Sequence, residues 1–173
     1  MSNMDAASDS HASANREGQG VGVHMRRAVK EDGSVIAQIH RAAFRTALPH
    51  IPVLHTGAED LAFFTSVVDK AETWLAEVPT GDIAGFIAFQ PGAVGHLYVH
   101  PSHQGHGIGS ALLNLAMRGN SELKLWTFQR NTVARTFYEK HGFIADRMTE
   151  GMGNEEREPD MRYVWRQKSE TQA

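Results

Sequence analysis

The sequence predicts a mixed α/β fold: a largely antiparallel sheet with helices on both faces. Three observations carry that expectation. Strand-like runs at 73–78, 83–90 and 93–99 follow one another across short Pro- and Gly-containing turns, the pattern of an antiparallel meander. Two stretches before the meander repeat their apolar residues at helical spacing. Beyond Val99 the order changes to glycine loop, helix, strand, helix, strand, so a β-α-β crossover must enter the same sheet.

Each element has its own local reason. Residues 1–20 are mainly Ser, Asn, Asp, Ala and Gly, with too little apolar surface to offset ordering entropy, and are expected to form a disordered tail. The folded domain is expected to span 21–168, opening on a strand at 21–28, with a short C-terminal tail at 169–173. From Glu31 the period changes, and Val35, Ile36, Ile39, Ala42, Ala43 and Phe44 give one apolar helical stripe that Pro49 and Pro52 end. Thr56 and Glu59 have the spacing of a capping box, and Leu61, Phe63, Phe64, Val67 and Val68 supply the second helix behind it. After the meander, 110–118 reads as a helix packing through Leu112, Leu113, Leu115 and Ala116, and 123–128 as a strand. Asn131 is placed to cap a helix running to Lys140, and Gly142 to end it in a left-handed conformation. Strands at 143–148 and 162–165 close the chain, which shows no internal repeat.

Composition narrows the function. The 173 residues, 41% hydrophobic, suffice for one core. The formal net charge of −3 shows no basic face for nucleic acid. There is no cysteine, which removes disulfides and thiolate zinc sites from this chain. No apolar run approaches the roughly 20 residues of a membrane span, and the first 20 have no signal-like apolar region, so a cytoplasmic protein without membrane partners is expected.

The most informative segment runs from Leu97 to Ser110. It passes from a strand through His100-Pro101 into a helix, and Gly105, Gly107 and Gly109 leave backbone N–H groups uncovered at the helix start, where the positive helix end favours phosphate. It is not a Walker A loop, which needs a terminal Gly-Lys-Ser/Thr, and its G-x-G-x-G spacing differs from the dinucleotide fingerprint. Gln104-Gly105-His106-Gly107-Ile108-Gly109 resembles the Q/R-x-x-G-x-G/A signature of the GNAT acetyltransferases. A second block, Asn131-Thr132-Val133-Ala134-Arg135-Thr136-Phe137-Tyr138-Glu139-Lys140-His141-Gly142-Phe143, resembles that family's N-x-x-A-x-x-F-Y-x-x-x-G-F helix, in family order. The stretch from Asn154 to Tyr163 is also similar to the C-terminal segment of some bacterial members.

The resemblance implies a twisted, mostly antiparallel sheet splayed between its fourth and fifth strands, and an N-acetyltransferase drawing on acetyl-CoA as co-substrate, without a metal. Pantetheine would pair with the fourth strand at Leu97 and Val99, beside Tyr98. The pyrophosphate would rest on Gln104, Gly105, His106, Gly107, Ile108, Gly109 and Ser110, and Asn131 would bond the pantetheine arm. Tyr138 matches the family tyrosine that protonates the departing thiolate; its plain alternative is a core aromatic beside Phe137. Many members place a glutamate on the fourth strand as general base. This strand has none, and His96 is its one titratable non-aromatic side chain, with His50, His55 and Glu77 as weaker candidates.

The imidazoles of His100, His103 and His106 invite a metal reading, but they lie in a Pro- and Gly-rich loop without aligned ligands, and a zinc ion there would obstruct the phosphate cradle. The acceptor is expected to be a small-molecule amine, met by the loop around 49–55 and the acidic loop around 150–158. Acetylation of a protein N-terminus or lysine, and a non-catalytic acetyl-CoA-binding module, are the alternatives. Assembly as a homodimer is compatible with such a chain.

Overall fold

The computed structural model describes residues 22–168. The expected tails at 1–20 and 169–173 lie outside the described residues, as does Val21. Strand β1 is His24–Arg27; a 3₁₀ turn at Lys30–Asp32 leads into α1, Gly33–Ala47, and then α2, Gly57–Lys70. The meander is β2 (Glu72–Glu77), β3 (Ile83–Gln90) and β4 (Ala93–Val99). Then come α3 (Ile108–Arg118), β5 (Glu122–Phe128), α4 (Thr132–Lys140), β6 (Ile144–Thr149) and β7 (Asp160–Arg166).

The local signals do what their chemistry requires. The Thr56 hydroxyl accepts from the Glu59 amide at 3.2 Å, and the Glu59 carboxylate accepts from the Thr56 amide at 2.7 Å, a complete capping box. Asn131 caps α4 by accepting from the Ala134 amide at 3.1 Å, and Gly142 follows with φ +83°. Helix α3 begins two residues before the expected 110, because its N-cap is Gly107 in the left-handed region, φ +79°, and not a side-chain cap. Strand β7 is longer than the expected 162–165, since it pairs with β5 on one side and β6 on the other.

The sheet order is β1-β2-β3-β4-β5-β7-β6, antiparallel throughout except for β4 with β5. Those two strands pair only at their starts, Ala93 opposite Lys124, and then diverge. A core lies on each face. Helices α1 and α2 close one around Ile36, Ile39, Phe64, Leu75 and Phe86, and α3 and α4 close the other around Ile87, Leu112, Leu113, Leu123 and Phe143. Tyr138 is buried at 8% exposure in the second core. The opening between β4 and β5 thus connects both faces of the sheet.

Candidate active site

The backbone of β4 explains what the opening offers. In an antiparallel pair, alternate residues turn their N–H and C=O toward the partner. The His100 amide donates to Ala84 of β3 at 2.8 Å, so residues 100, 98 and 96 face β3, and Leu97 and Val99 face the gap toward β5. A bulge at Gly95, where Ala88 pairs with His96 but Phe89 pairs with Val94, bends the strand just before the gap. The Val99 carbonyl is taken by the Gln104 side-chain amide at 3.0 Å. The Val99 N–H and both Leu97 backbone groups are left to a ligand. Tyr98 stands differently from its neighbours. Its backbone is turned to Phe86 of β3, and its ring lies on the α1–α2 face, 4.7 Å from the His40 ring.

The glycine loop continues from that gap. His100 shapes its entry, with Nδ1 accepting from the Ser102 amide at 3.2 Å, and the His106 imidazole meets the His103 carbonyl at 3.3 Å. These imidazoles shape the turn, and among the described residues no group of three His, Asp or Glu side chains is disposed to hold a metal. Gly105 and Gly107 both have positive φ, +80° and +79°, a conformation that β-carbons disfavour. A β-carbon added at either would meet nothing within 4 Å, so the space over the loop is open. No side chain caps α3, and the first-turn amides of Ile108, Gly109 and Ser110 are therefore available to an anion. Gly109 lies against the Phe137 ring, which a β-carbon there would meet at 3.4 Å, an ordinary contact. The Ser110 hydroxyl is tied to His141 Nε2 at 2.9 Å, joining α3 to the end of α4, a contact for which the sequence carried no signal.

Tyr138 packs between Phe137 and Phe143, and its hydroxyl has no hydrogen-bond partner among the described residues. Burial, and then the nearness of Tyr98, holds its phenol above the ordinary range, so it stays protonated at neutral pH. The ring is a core aromatic, as its plain alternative expected. Asn131 caps α4 through its carbonyl oxygen, leaving its amide group without a partner among the described residues.

The α1–α2 face holds the titratable groups. His96 packs against the rings of Phe63 and Phe64 at 5.6 and 5.3 Å, and burial, then neighbouring His40, pushes its imidazole down to about 4. His40 projects from α1 among Phe44, Phe64 and Tyr98. Its Nδ1 is buried without a hydrogen-bond partner, and burial lowers its pKa against the opposing pull of Asp60. The sequence reading missed His40, whose only signal was a polar residue inside the apolar stripe of α1. Burial, with the charge of Glu156 second, pushes the Tyr98 phenol up to about 12.

A narrow cleft opens beside these groups, about 470 Å³ counted out to its mouth, lined by His40, Phe44, Arg45, Leu54 and Glu156 among others. The 150–158 loop is clasped over it. His55 Nε2 meets Glu155 at 2.8 Å and His50 Nε2 meets Glu158 at 3.2 Å, so neither histidine is free in this arrangement. Glu77 is engaged elsewhere, with Arg26 on β1 at 3.3 Å.

A family model described as an acetyltransferase (GNAT) domain matches residues 69–145. The protein named "Probable N-acetyltransferase Rv2775" of Mycobacterium tuberculosis is 36% identical over 85 residues, 44% of this chain and 48% of that protein. The chain thus spans about half the length of the curated relative it matches. YjaB of Escherichia coli, solved in its apo form, superposes with a TM-score of 0.71 at 21% identity, over 83% of this chain and 97% of YjaB. YncA of Salmonella typhimurium, whose structure holds acetyl-CoA, superposes at 0.62 and 21% identity, over 83% of this chain and 93% of YncA.

Proposed function

We propose that this chain, whose residues 69–145 match the acetyltransferase (GNAT) domain, is a GNAT acetyltransferase that transfers an acetyl group from acetyl-CoA to a primary amine by direct attack in a ternary complex. The observation that carries the proposal is one continuous path. It runs from the Leu97 backbone groups and the Val99 N–H in the β4–β5 gap to the uncapped start of α3. The residues fit the co-substrate. Alternating backbone groups match an amide-bearing arm, the left-handed Gly105 and Gly107 clear space for a diphosphate, and the side-chain amide of Asn131, at the start of α4, would be free to bond the arm.

In this reading a β4 amide donates to the thioester oxygen as negative charge develops there. The amine nitrogen bonds to the thioester carbon and the carbon–sulfur bond breaks. The electron pair leaves on sulfur, and Tyr138 donates a proton to it. The amine must arrive neutral. Two buried imidazoles lie on the α1–α2 face, His96 on β4 and His40 on α1, and burial lowers the pKa of both. His40 lines the cleft and stands closer to Tyr98, 4.7 Å against 6.5 Å between ring centroids. We therefore place first acceptance of the proton on His40 and keep His96 as the second base of the pair.

The narrow, clasped cleft supports a small-molecule acceptor over a peptide. Among the described residues no helix is long and apolar enough to cross a membrane. The test is calorimetric titration of acetyl-CoA into the protein, wild type and Gly107→Glu. Binding by the wild type that weakens several-fold or more in the variant supports the cradle; equal affinities with intact folding remove it.

A further inference from the structure

The charges of the acceptor cleft do not cancel within the protein. Five ionisable side chains other than His40 line it: Arg41, Arg45, His55, Asp60 and Glu156. Three are closed off by internal partners. Arg41 binds Asp60 through Nε at 2.9 Å and the His55 carbonyl at 2.8 Å, and the His55 imidazole is held by Glu155. Arg45 and Glu156 remain. Neither has an ion pair or a side-chain hydrogen bond among the described residues, and although opposite in charge they do not meet each other across the cleft they share.

The loop is built to hold Glu156 in that position. Asn154 braces it from both sides, donating to the Glu158 carbonyl at 2.8 Å and accepting from the Glu158 amide at 3.1 Å. Gly151 lies so close to Glu158 that a β-carbon would fall 2.3 Å from its carbonyl oxygen. Arg157 adopts φ +54°, unusual for a residue with a side chain. The chain thereby takes Glu155 to His55 and Glu158 to His50, while Glu156 lines the cleft without a partner among the described residues. Of the acidic run, only Glu156 both lines the cleft and lacks a partner.

The two unpaired charges also have an order. On α1 Arg45 stands more than one turn beyond His40, the first base in the acetyltransferase reading, so the guanidinium marks the end of the cleft away from the transfer chemistry. Arg45 is exposed and sits one helical turn beyond Arg41 toward the end of α1. Phe44, Ile51 and Leu54 supply apolar wall. Resting on the acetyltransferase reading, we propose that the acceptor is a zwitterionic amine of the amino-acid type, its ammonium drawn to Glu156, its carboxylate to Arg45 and its apolar body to the Phe44 wall. A purely cationic amine would leave Arg45 unmatched, and a bulky peptide would have to displace the clasped loop.

The test uses the full chain with acetyl-CoA and three probe sets: the common L-amino acids with apolar side chains, their methyl esters, and the corresponding decarboxylated amines. Product is read by mass spectrometry, and acetyl-CoA affinity and melting temperature are measured for each variant. The expected result is a kcat/KM about five- to ten-fold higher for the preferred amino acid than for its methyl ester, a ratio that Arg45→Gln brings close to one. Glu156→Gln should raise KM for the amino acid about ten-fold with acetyl-CoA affinity unchanged. Esters or decarboxylated amines accepted equally or better, a ratio that survives Arg45→Gln, or acetyl-CoA binding with no transfer to any amino acid would each overturn the inference. Failure of the wild type to bind acetyl-CoA would instead overturn the reading on which it rests, and the inference with it.

Discussion

At the scale of single residues, the proposed chemistry turns on Tyr138 and the two buried imidazoles. Tyr138→Phe removes one hydroxyl and almost no volume, and that hydroxyl has no internal partner to lose. Acetyl-CoA affinity and melting temperature should therefore stay near wild type, while turnover falls toward the low end of the about 100- to 10,000-fold range of general acid–base effects. Unaltered turnover in steady-state kinetics would remove the proton-donor role. His96 makes a separate, thermodynamic statement. Its imidazole titrates near 4 in the fold against about 6.5 unfolded, so the unfolded chain takes up the proton first as pH falls. Its contribution is present above about pH 6.5 and is lost as pH drops through that window toward 4, by an amount up to about 3 kcal/mol, less where solvent screens it. Denaturant melts between pH 7 and 4 should show this loss, and His96→Leu should flatten it; an equal acid response in the variant would place the cause elsewhere. The motif residues were legible because glycine, asparagine and tyrosine at fixed spacing have few other reasons to occur together. His40 was not legible, since a histidine within an apolar helical stripe reads the same whether it is packed filler or a base facing a cleft.

At the scale of elements, the proposed binding rests on the strand-to-helix passage from β4 to α3 and on the clasp between two loops. The capping signals, the meander and the left-handed Gly142 were readable because each depends on neighbours a few residues away. The clasp joins residues about a hundred positions apart, His55 with Glu155 and His50 with Glu158, and local pattern carries no trace of such a pairing. The acidic 150–158 run consequently read as one undifferentiated surface, although two of its glutamates bind histidines and one lines the cleft. The pairing with Glu155 raises the His55 pKa. A raised histidine pKa gives a contact fully present below about pH 6.5 and lost as pH rises through the folded value. Hydrogen exchange across 150–158 should therefore speed up on going from pH 6 to pH 9, after correction for the intrinsic rate, and His55→Gln should exchange fast throughout. A correction-free plateau in the wild type, with no difference from the variant, would count against the clasp.

At the scale of the whole molecule, one sheet separates two cores and its single parallel junction opens the passage between them. Leu112 and Phe64 are each at most 1% exposed and belong to different cores. Leu112→Ala should cost about 2–5 kcal/mol and Phe64→Ala about 3–5 kcal/mol. Because the sheet stands between them, the double variant should equal the sum within about 0.5 kcal/mol in urea melts; a larger coupling would mean that the two faces form one packed unit. The fold class followed from periodicity and element order, but the splay did not. It was implied only by family resemblance, because the divergence of β4 from β5 depends on the bulge at Gly95 and on how α3 and α4 pack, which no strand pattern records.

The most direct test of the acetyl transfer itself is to incubate the full chain with acetyl-CoA, with and without a mixed panel of primary amines, and to quantify free thiol and acetylated amine together. The expected result is release of coenzyme A and appearance of one or a few N-acetyl products in equal amounts, both requiring protein and amine. Tight acetyl-CoA binding with no amine-dependent thiol release across the panel would contradict it, and would leave a binding module in place of an enzyme.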